Sequence, residues 1–228
     1  MVGRPRSRRR WLAHCTVLAL AGPAAWAQPA SVQGAPAARN AAAPLILVVG
    51  DSLSAEYGLK RGSGWVALLA ARLALRKSAA RVVNASISGD TTSGGRTRLP
   101  ALLKQHRPDI VLIELGGNDA LRGLPIAMTR GNLEAMARAA KAAGARVVIA
   151  GMQLPPNYGR QYGDQFAALF ATVAKAEGAA LVPFLLTGVA DVPQAESLFQ
   201  PDRIHPNAAA QPTILDNVWP TLAPLLGR

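Results

Sequence analysis

Cysteine is almost missing from this chain: of 228 residues only Cys15 is one. The body of the protein therefore has no disulfide framework and no cysteine-ligated metal, and its fold must stand on a hydrophobic core. "LAHC" makes a poor lipoprotein site, because His14 occupies the place of a small residue. Aromatic residues are also few, at 5%, and beyond residue 28 the arginines are scattered. Nothing resembles the basic stripe interleaved with aromatics that single-strand nucleic-acid binding uses, so no nucleic-acid partner is expected. After Ala21 no apolar run approaches the ~20 residues of a membrane span. No lysine stands where a phosphate loop would need it.

What is present begins with an unusual amino terminus. "RPRSRRR" is followed by an apolar stretch from Trp11 to Ala21 and then by "AAWA", in which Ala25 and Ala27 form a small-x-small pattern. This order reads as a signal peptide over residues 1–27, cleaved after Ala27, with an uncleaved anchor as the other reading. The twin arginines of "SRRRWLA" also suit the twin-arginine export route. Residues 28–43, "QPASVQGAPAARNAAA", lack apolar periodicity and read as a flexible leader. One domain is expected over residues 44–228, exported and periplasmic, as a monomer with at most peripheral membrane contact. The formal charge of +12 includes five arginines within residues 1–27; without them 20 basic residues face 13 acidic ones. Such a balance attracts anionic lipid or acidic substrates mildly.

From residue 45 onward, short apolar runs alternate with longer helical patterns. "LILVVG" (45–50), "RVVNASI" (81–87), "DIVLIELG" (109–116), "RVVIAGM" (146–152) and "ALVPF" (180–184) are strand candidates. They are β-branched and apolar on both faces, as parallel strands covered on both sides must be. Helical spacing marks "GWVALLAARLALRK", "RTRLPALLKQH", "NLEAMARAAKAAG" and "QFAALFATVAKAEG", and Gly144 suits the end of the third. A last helix is expected from about Asn207, kinked or divided by Pro212 and Pro220. The predicted fold is a three-layer α/β/α sandwich around a parallel sheet of about five strands.

Ligands of such sheets gather at the carboxyl ends of the strands. Polar residues and glycines collect at each of those ends: Asp51-Ser52, "SISGDTTSGG", "GGNDALRG", "QLPPNYG" and "PDRIHPN". Ser52 follows the first strand directly, where a hydroxyl can project; a helix cap is its plain structural reading. A serine needs a base before it attacks. Past the leader only His106 and His205 could serve. His106 ends an amphipathic pattern and suits a helix C-terminus. His205 stands three residues after Asp202 between two prolines, so one short loop can supply a base and the carboxylate that fixes its tautomer; a turn with an incidental salt link is the plain structural reading. Gly89 can offer a backbone N–H and Asn118 a side-chain amide to a developing oxyanion, with the N–H of Ser52 as a third donor. The plain readings are a β-turn at Gly89 and a type I′ or Asx turn in "GGND".

"GDSLS", "SISGD", "GGND" and "DRIHPN", in that order, resemble the four blocks of the SGNH (GDSL) hydrolase family, whose fold is flavodoxin-like. The resemblance implies a nucleophile at Ser52, oxyanion donors at Gly89 and Asn118, and the remaining triad members at Asp202 and His205. "VVNASISGDTTSGGRTRLPALLKQH", "ELGGNDALRGLP" and "LPPNYGRQY" are similar to the periplasmic branch of thioesterase I, protease I and lysophospholipase. That likeness implies hydrolysis of acyl esters, thioesters and lysolipids through an acyl-enzyme, with neither cofactor nor metal. It also implies acyl contacts at Leu154, and a mobile loop from Leu121 to Pro125. Leu154 and Pro155 would form an apolar wall, and Gly123 would permit the loop to move.

Three other readings compete for the same residues. An α/β-hydrolase shares the order Ser, Asp, His, but "GDSLS" lacks the final glycine of a nucleophile elbow. A carbohydrate acetylesterase of the same superfamily would want a groove rimmed with aromatics, which are scarce. An anion-binding module using "SGDTTSGG" would leave Asp202 and His205 without a purpose.

Overall fold

The computed structural model describes residues 43–227. The expected signal peptide, and all of the leader except Ala43, lie outside the described residues. β1 (Leu45–Gly50), β2 (Arg81–Asn84), β3 (Ile110–Glu114), β4 (Arg146–Ala150) and β5 (Ala180–Val182) form one sheet in the order β2-β1-β3-β4-β5. Every neighbouring pair is parallel. Six helices accompany it: α1 (Trp65–Leu75), α2 (Thr92–His106), α3 (Gly117–Leu121), α4 (Ile126–Ala142), α5 (Arg160–Glu177) and α6 (Gln211–Leu222).

Continuous apolar strands are needed because both faces are covered. In β1 and β3, Leu47, Val49, Val111 and Ile113 enter a core with α2, α4 and α5. Ile46, Val48, Ile110 and Leu112 alternate into a second core with α1 and α6. This is the period-two alternation of a strand feeding two hydrophobic layers instead of one layer and water. The expected α/β/α sandwich of five parallel strands is the observed one.

Several boundaries differ from the sequence expectation, each for a local reason. The second strand stops at Asn84 and does not reach Ile87. Asn84 turns its amide to the Ser54 carbonyl (2.7 Å) and accepts the Ser86 N–H, and beyond it only the Ala85 and Ile87 N–H groups still reach β1, at the Val48 (2.9 Å) and Gly50 (3.0 Å) carbonyls. The second helix begins at Thr92, four residues ahead of "RTRLP", because Thr91 caps it by accepting the Gly94 N–H. "GGND" is the start of α3 and not an isolated turn. The last helix begins at Gln211 and runs unbroken to Leu222. Asn207 caps a separate 3₁₀ turn, Pro212 lies in the first turn of α6, where no N–H is missed, and Pro220 falls near its end.

The strand order reverses between β1 and β3, since the chain places β2 on one side of β1 and β3 on the other. A crevice opens at the carboxyl ends of strands at such a reversal. The segments that leave β1 and β3 there carry Ser52 and Asn118.

Candidate active site

β1 is wholly buried, and Asp51, next in the chain, is only 2% exposed. A carboxyl at that depth needs donors. Asp51 accepts the Leu53 N–H (3.0 Å) through one oxygen and the Asn118 side-chain amide (3.0 Å) through the other. Burial still prevails over these bonds and pushes its pKa up to about 6. The Asp51 N–H donates to Glu114 Oε2 (3.2 Å), which also takes the Ser54 hydroxyl (2.6 Å). Glu114 is fully buried at the end of β3, and burial together with nearby Asp51 raises its pKa well above the usual carboxylate range. Gly50 is required by this packing: a Cβ there would lie 2.6 Å from Glu114 Oε2 and 2.8 Å from Ser54 Oγ. Asp51 thus shapes the turn that presents Ser52.

His205 reaches that turn across 153 residues of sequence. Its Nε2 lies 2.8 Å from Ser52 Oγ, and its Nδ1 lies 2.7 Å from Asp202 Oδ2. The His205 backbone N–H, then that of Ile204 and the imidazole itself, hold the Asp202 pKa down to about 2. Asp202 is therefore an acceptor throughout the neutral range. Nδ1 then carries a proton and Nε2 is left to accept the Ser52 hydroxyl. The Tyr57 ring packs 4.3 Å from the imidazole.

Residues with no obvious motif close this long-range contact. Gln200 donates to the Tyr57 carbonyl (2.8 Å) and to that of Pro206 (3.2 Å), tying the loop after β1 to the loop of His205. Its backbone N–H donates to the His205 carbonyl (2.8 Å). Gln211, buried at the start of α6, accepts the Trp65 N–H (3.0 Å) that opens α1.

The two expected side donors sit on either side of β1. Asn118 lies in α3 and spends one amide N–H on Asp51, leaving a second. Gly89 occupies a turn after β2, closed by Asp90 N–H to the Ile87 carbonyl (3.1 Å), with φ +78°. A side chain would strain that conformation. The turn is fastened beside Ser52: the Ile87 N–H donates to the Gly50 carbonyl (3.0 Å), and Arg98 bonds the Ala85 and Gly50 carbonyls and pairs with Asp90 (2.8 Å). Among the described residues, the N–H groups of Ser52 and Gly89 have no acceptor.

Behind them, buried Asp119 accepts the N–H and hydroxyl of Thr92 and the hydroxyl of Thr129 (3.3 Å). It thereby locks α3 to the start of α2 and to α4. The same bond answers the anion-binding alternative, since the protein's own carboxylate already occupies that helix start.

A cleft of about 1150 Å³ opens over Ser52. Asn118, Asp202 and His205 line it, and so do the expected acyl contacts Leu121, Leu154 and Pro155. Gly89 is not part of its lining. Phe184, Leu186 and Ile204 add apolar surface to its lining. Tyr162 donates to the Leu124 carbonyl (3.0 Å), fastening the turn after Leu121. His106 closes α2 at the other end of the sheet, as its helical pattern suggested. The positioning roles of Glu114, Gln200 and Arg98 were missed. Only Glu114 gave a signal, as a lone acid within an apolar strand.

Residues 48–211 match the model of the GDSL-like lipase/acylhydrolase family. The chain belongs to that family. It is 55% identical over 188 residues to esterase TesA of Pseudomonas aeruginosa, covering 82% of this chain and 92% of that protein. To thioesterase 1/protease 1/lysophospholipase L1 of Escherichia coli K12 it is 46% identical, covering 83% and 88%. The crystal structure of esterase EstA from Pseudoalteromonas sp. superposes with a TM-score of 0.75 at 40% identity, covering 81% and 99%. The chain is a carboxylic ester hydrolase of the SGNH type.

Proposed function

We propose that the chain hydrolyses acyl esters, thioesters and lysolipids by covalent acyl transfer through Ser52. The observation that carries this is the continuous path from Ser52 Oγ through the His205 imidazole to Asp202, at 2.8 and 2.7 Å. As Ser52 Oγ bonds the acyl carbon, its proton passes to Nε2 and the carbonyl electrons move onto oxygen. The remaining Asn118 N–H and the N–H groups of Ser52 and Gly89 stabilise that oxyanion. Collapse breaks the bond to the alcohol or thiol, which leaves with the proton from Nε2. Water then repeats the sequence: it gives a proton to Nε2, attacks the acyl-enzyme, and releases the acid as Ser52 regains its hydrogen.

Leu121, Leu154 and Pro155 hold the acyl chain against the apolar lining of the cleft, which supports medium or long chains over acetyl groups. The arginine-rich start and "AAWA" direct export, and the enzyme works in the periplasm. The experiment is to measure the Ser52→Ala variant against wild type on p-nitrophenyl esters of increasing chain length, an acyl-CoA and a lysophospholipid. All activities should vanish together. A variant that keeps esterase turnover would remove Ser52 from the mechanism.

A further inference from the structure

Residues 43–227 carry 18 basic and 13 acidic side chains, and the surplus is not spread evenly. Toward the cleft, acids stand among the cations and some pair with them, as in Arg98 with Asp90 and Arg203 with Glu196, although Lys60, Arg61, Arg122 and Arg160 have no acid partner among the described residues. At the other end, where strands begin and helices finish, Arg76, Lys77, Arg81, Lys104, Arg107 and Lys175 are all exposed. None of the six pairs with a described acid. The acids of that end are already engaged: Asp109 accepts the Leu45 N–H, Glu177 holds Arg138 and Lys141, and Asp216 holds Arg72.

Compensation of helix dipoles accounts for cations in a last turn, such as Lys104 and Lys175. It does not account for where two others stand. The left-handed residue that closes a helix is most often glycine. After α4 and α5 that residue is Gly144 (φ +80°) and Gly178 (φ +60°). After α1 and α2 it is Lys77 (φ +53°) and Arg107 (φ +46°). Lys77 and Arg107 thus hold charge at two positions where glycine would sit without strain, as Glu56 (φ +61°) and Arg203 (φ +58°) do elsewhere.

We infer that this end of the sheet docks on an anionic phospholipid surface. Arg81 stands beside the start of β1: its N–H donates to the Pro44 carbonyl (2.8 Å) and it pairs with Leu45 in the ladder, while Arg107 closes α2 two residues before Asp109, whose N–H donates to the Leu45 carbonyl (2.9 Å). Leu75 projects beside Arg76 and Lys77 at 85% exposure. An apolar side chain among cations suits the boundary between headgroups and acyl chains, whereas a nucleic acid backbone offers it no partner. Docked so, the enzyme turns its cleft away from the bilayer.

The test compares the full chain with its Lys77→Gly/Arg81→Gln/Arg107→Gly variant on phosphatidylcholine vesicles with and without phosphatidylglycerol. The leader is identical in both chains, so its contribution cancels. Each surface cation contributes roughly fivefold, so binding that depends on phosphatidylglycerol should weaken on the order of a hundredfold at low salt. Hydrolysis of a soluble ester should not change, and the melting temperature should hold or rise as strain is relieved at residues 77 and 107. A second measurement uses wild type alone: added salt should release it from the anionic vesicles. Equal binding by both chains, salt-insensitive binding, or tighter salt-matched binding to a DNA duplex would overturn the inference.

Discussion

Replacing Asn118 with alanine separates the transition state from everything else the site does. The Asn118 amide has two N–H groups, and one of them is committed to Asp51 at 3.0 Å. The other is the candidate donor to the oxyanion, which exists only after Ser52 has attacked. Loss of one such donor costs about 2.7–4 kcal/mol of transition-state stabilisation, so kcat should fall ~10²–10³-fold. KM should stay within a factor of about three, because the ground-state carbonyl does not rely on this bond. The fold should survive: one hydrogen bond to a half-buried group is worth about 1 kcal/mol, or about 2–4 °C in a domain of this size. Asp51 would lose one of the donors restraining its pKa, so that value should move above about 6. Asn118→Asp serves as a control; it keeps the shape, removes both donors and sets a second carboxylate against Asp51, so it should lose at least as much. Steady-state hydrolysis of a p-nitrophenyl ester, with melts of each variant, is the assay. If kcat drops less than about tenfold, or if KM carries the loss, Asn118 is not an oxyanion donor.

Two further expectations concern the buried carboxyls. The Glu114 pKa is raised when folded, so its contribution to stability is complete below the unfolded value of 4.5 and is lost as pH climbs through the folded value. Glu114→Gln should therefore flatten the decline of melting temperature toward alkaline pH while keeping the Ser54 and Asp51 bonds. Glu114→Ala should cost about 2–5 kcal/mol at acidic pH by leaving those donors unpaired beside a cavity, and less as pH climbs. Parallel pH profiles for wild type and Glu114→Gln would refute the assignment. Asp119→Ala should cost about 3–5 kcal/mol by orphaning Thr92, and kcat should fall with it as α3 shifts against α2; Asp119→Asn, which retains an acceptor, should lose less in melts and in turnover.

The parts of this site that could be read early are those whose chemistry is local. Asp202 and His205 are three residues apart in one loop, so their partnership is written in a single short stretch. Ser52 and Asn118 each follow a strand whose apolar run marks its own end. Gly89 could be read as a turn residue because glycine takes a positive φ without strain. Gln200 and Gln211 look like any surface amide, yet their partners Tyr57 and Trp65 stand 143 and 146 residues away. Arg98 reads as one more cation on a helix until its reach to the Gly50 carbonyl is known.

Residue order alone determined the layered α/β fold, because β-branched runs between amphipathic helices can bury both faces in no other common way. It also determined which side chains could react, since only a few residue types can give up, take or steady a proton. Tertiary structure decided the convergence of Ser52 on His205, the depth that moves Asp51 and Glu114, and the gathering of unpaired cations at the far end of the sheet. Each of these depends on the dielectric and the distance between segments remote in sequence, and neither exists until the sheet has set its strand order.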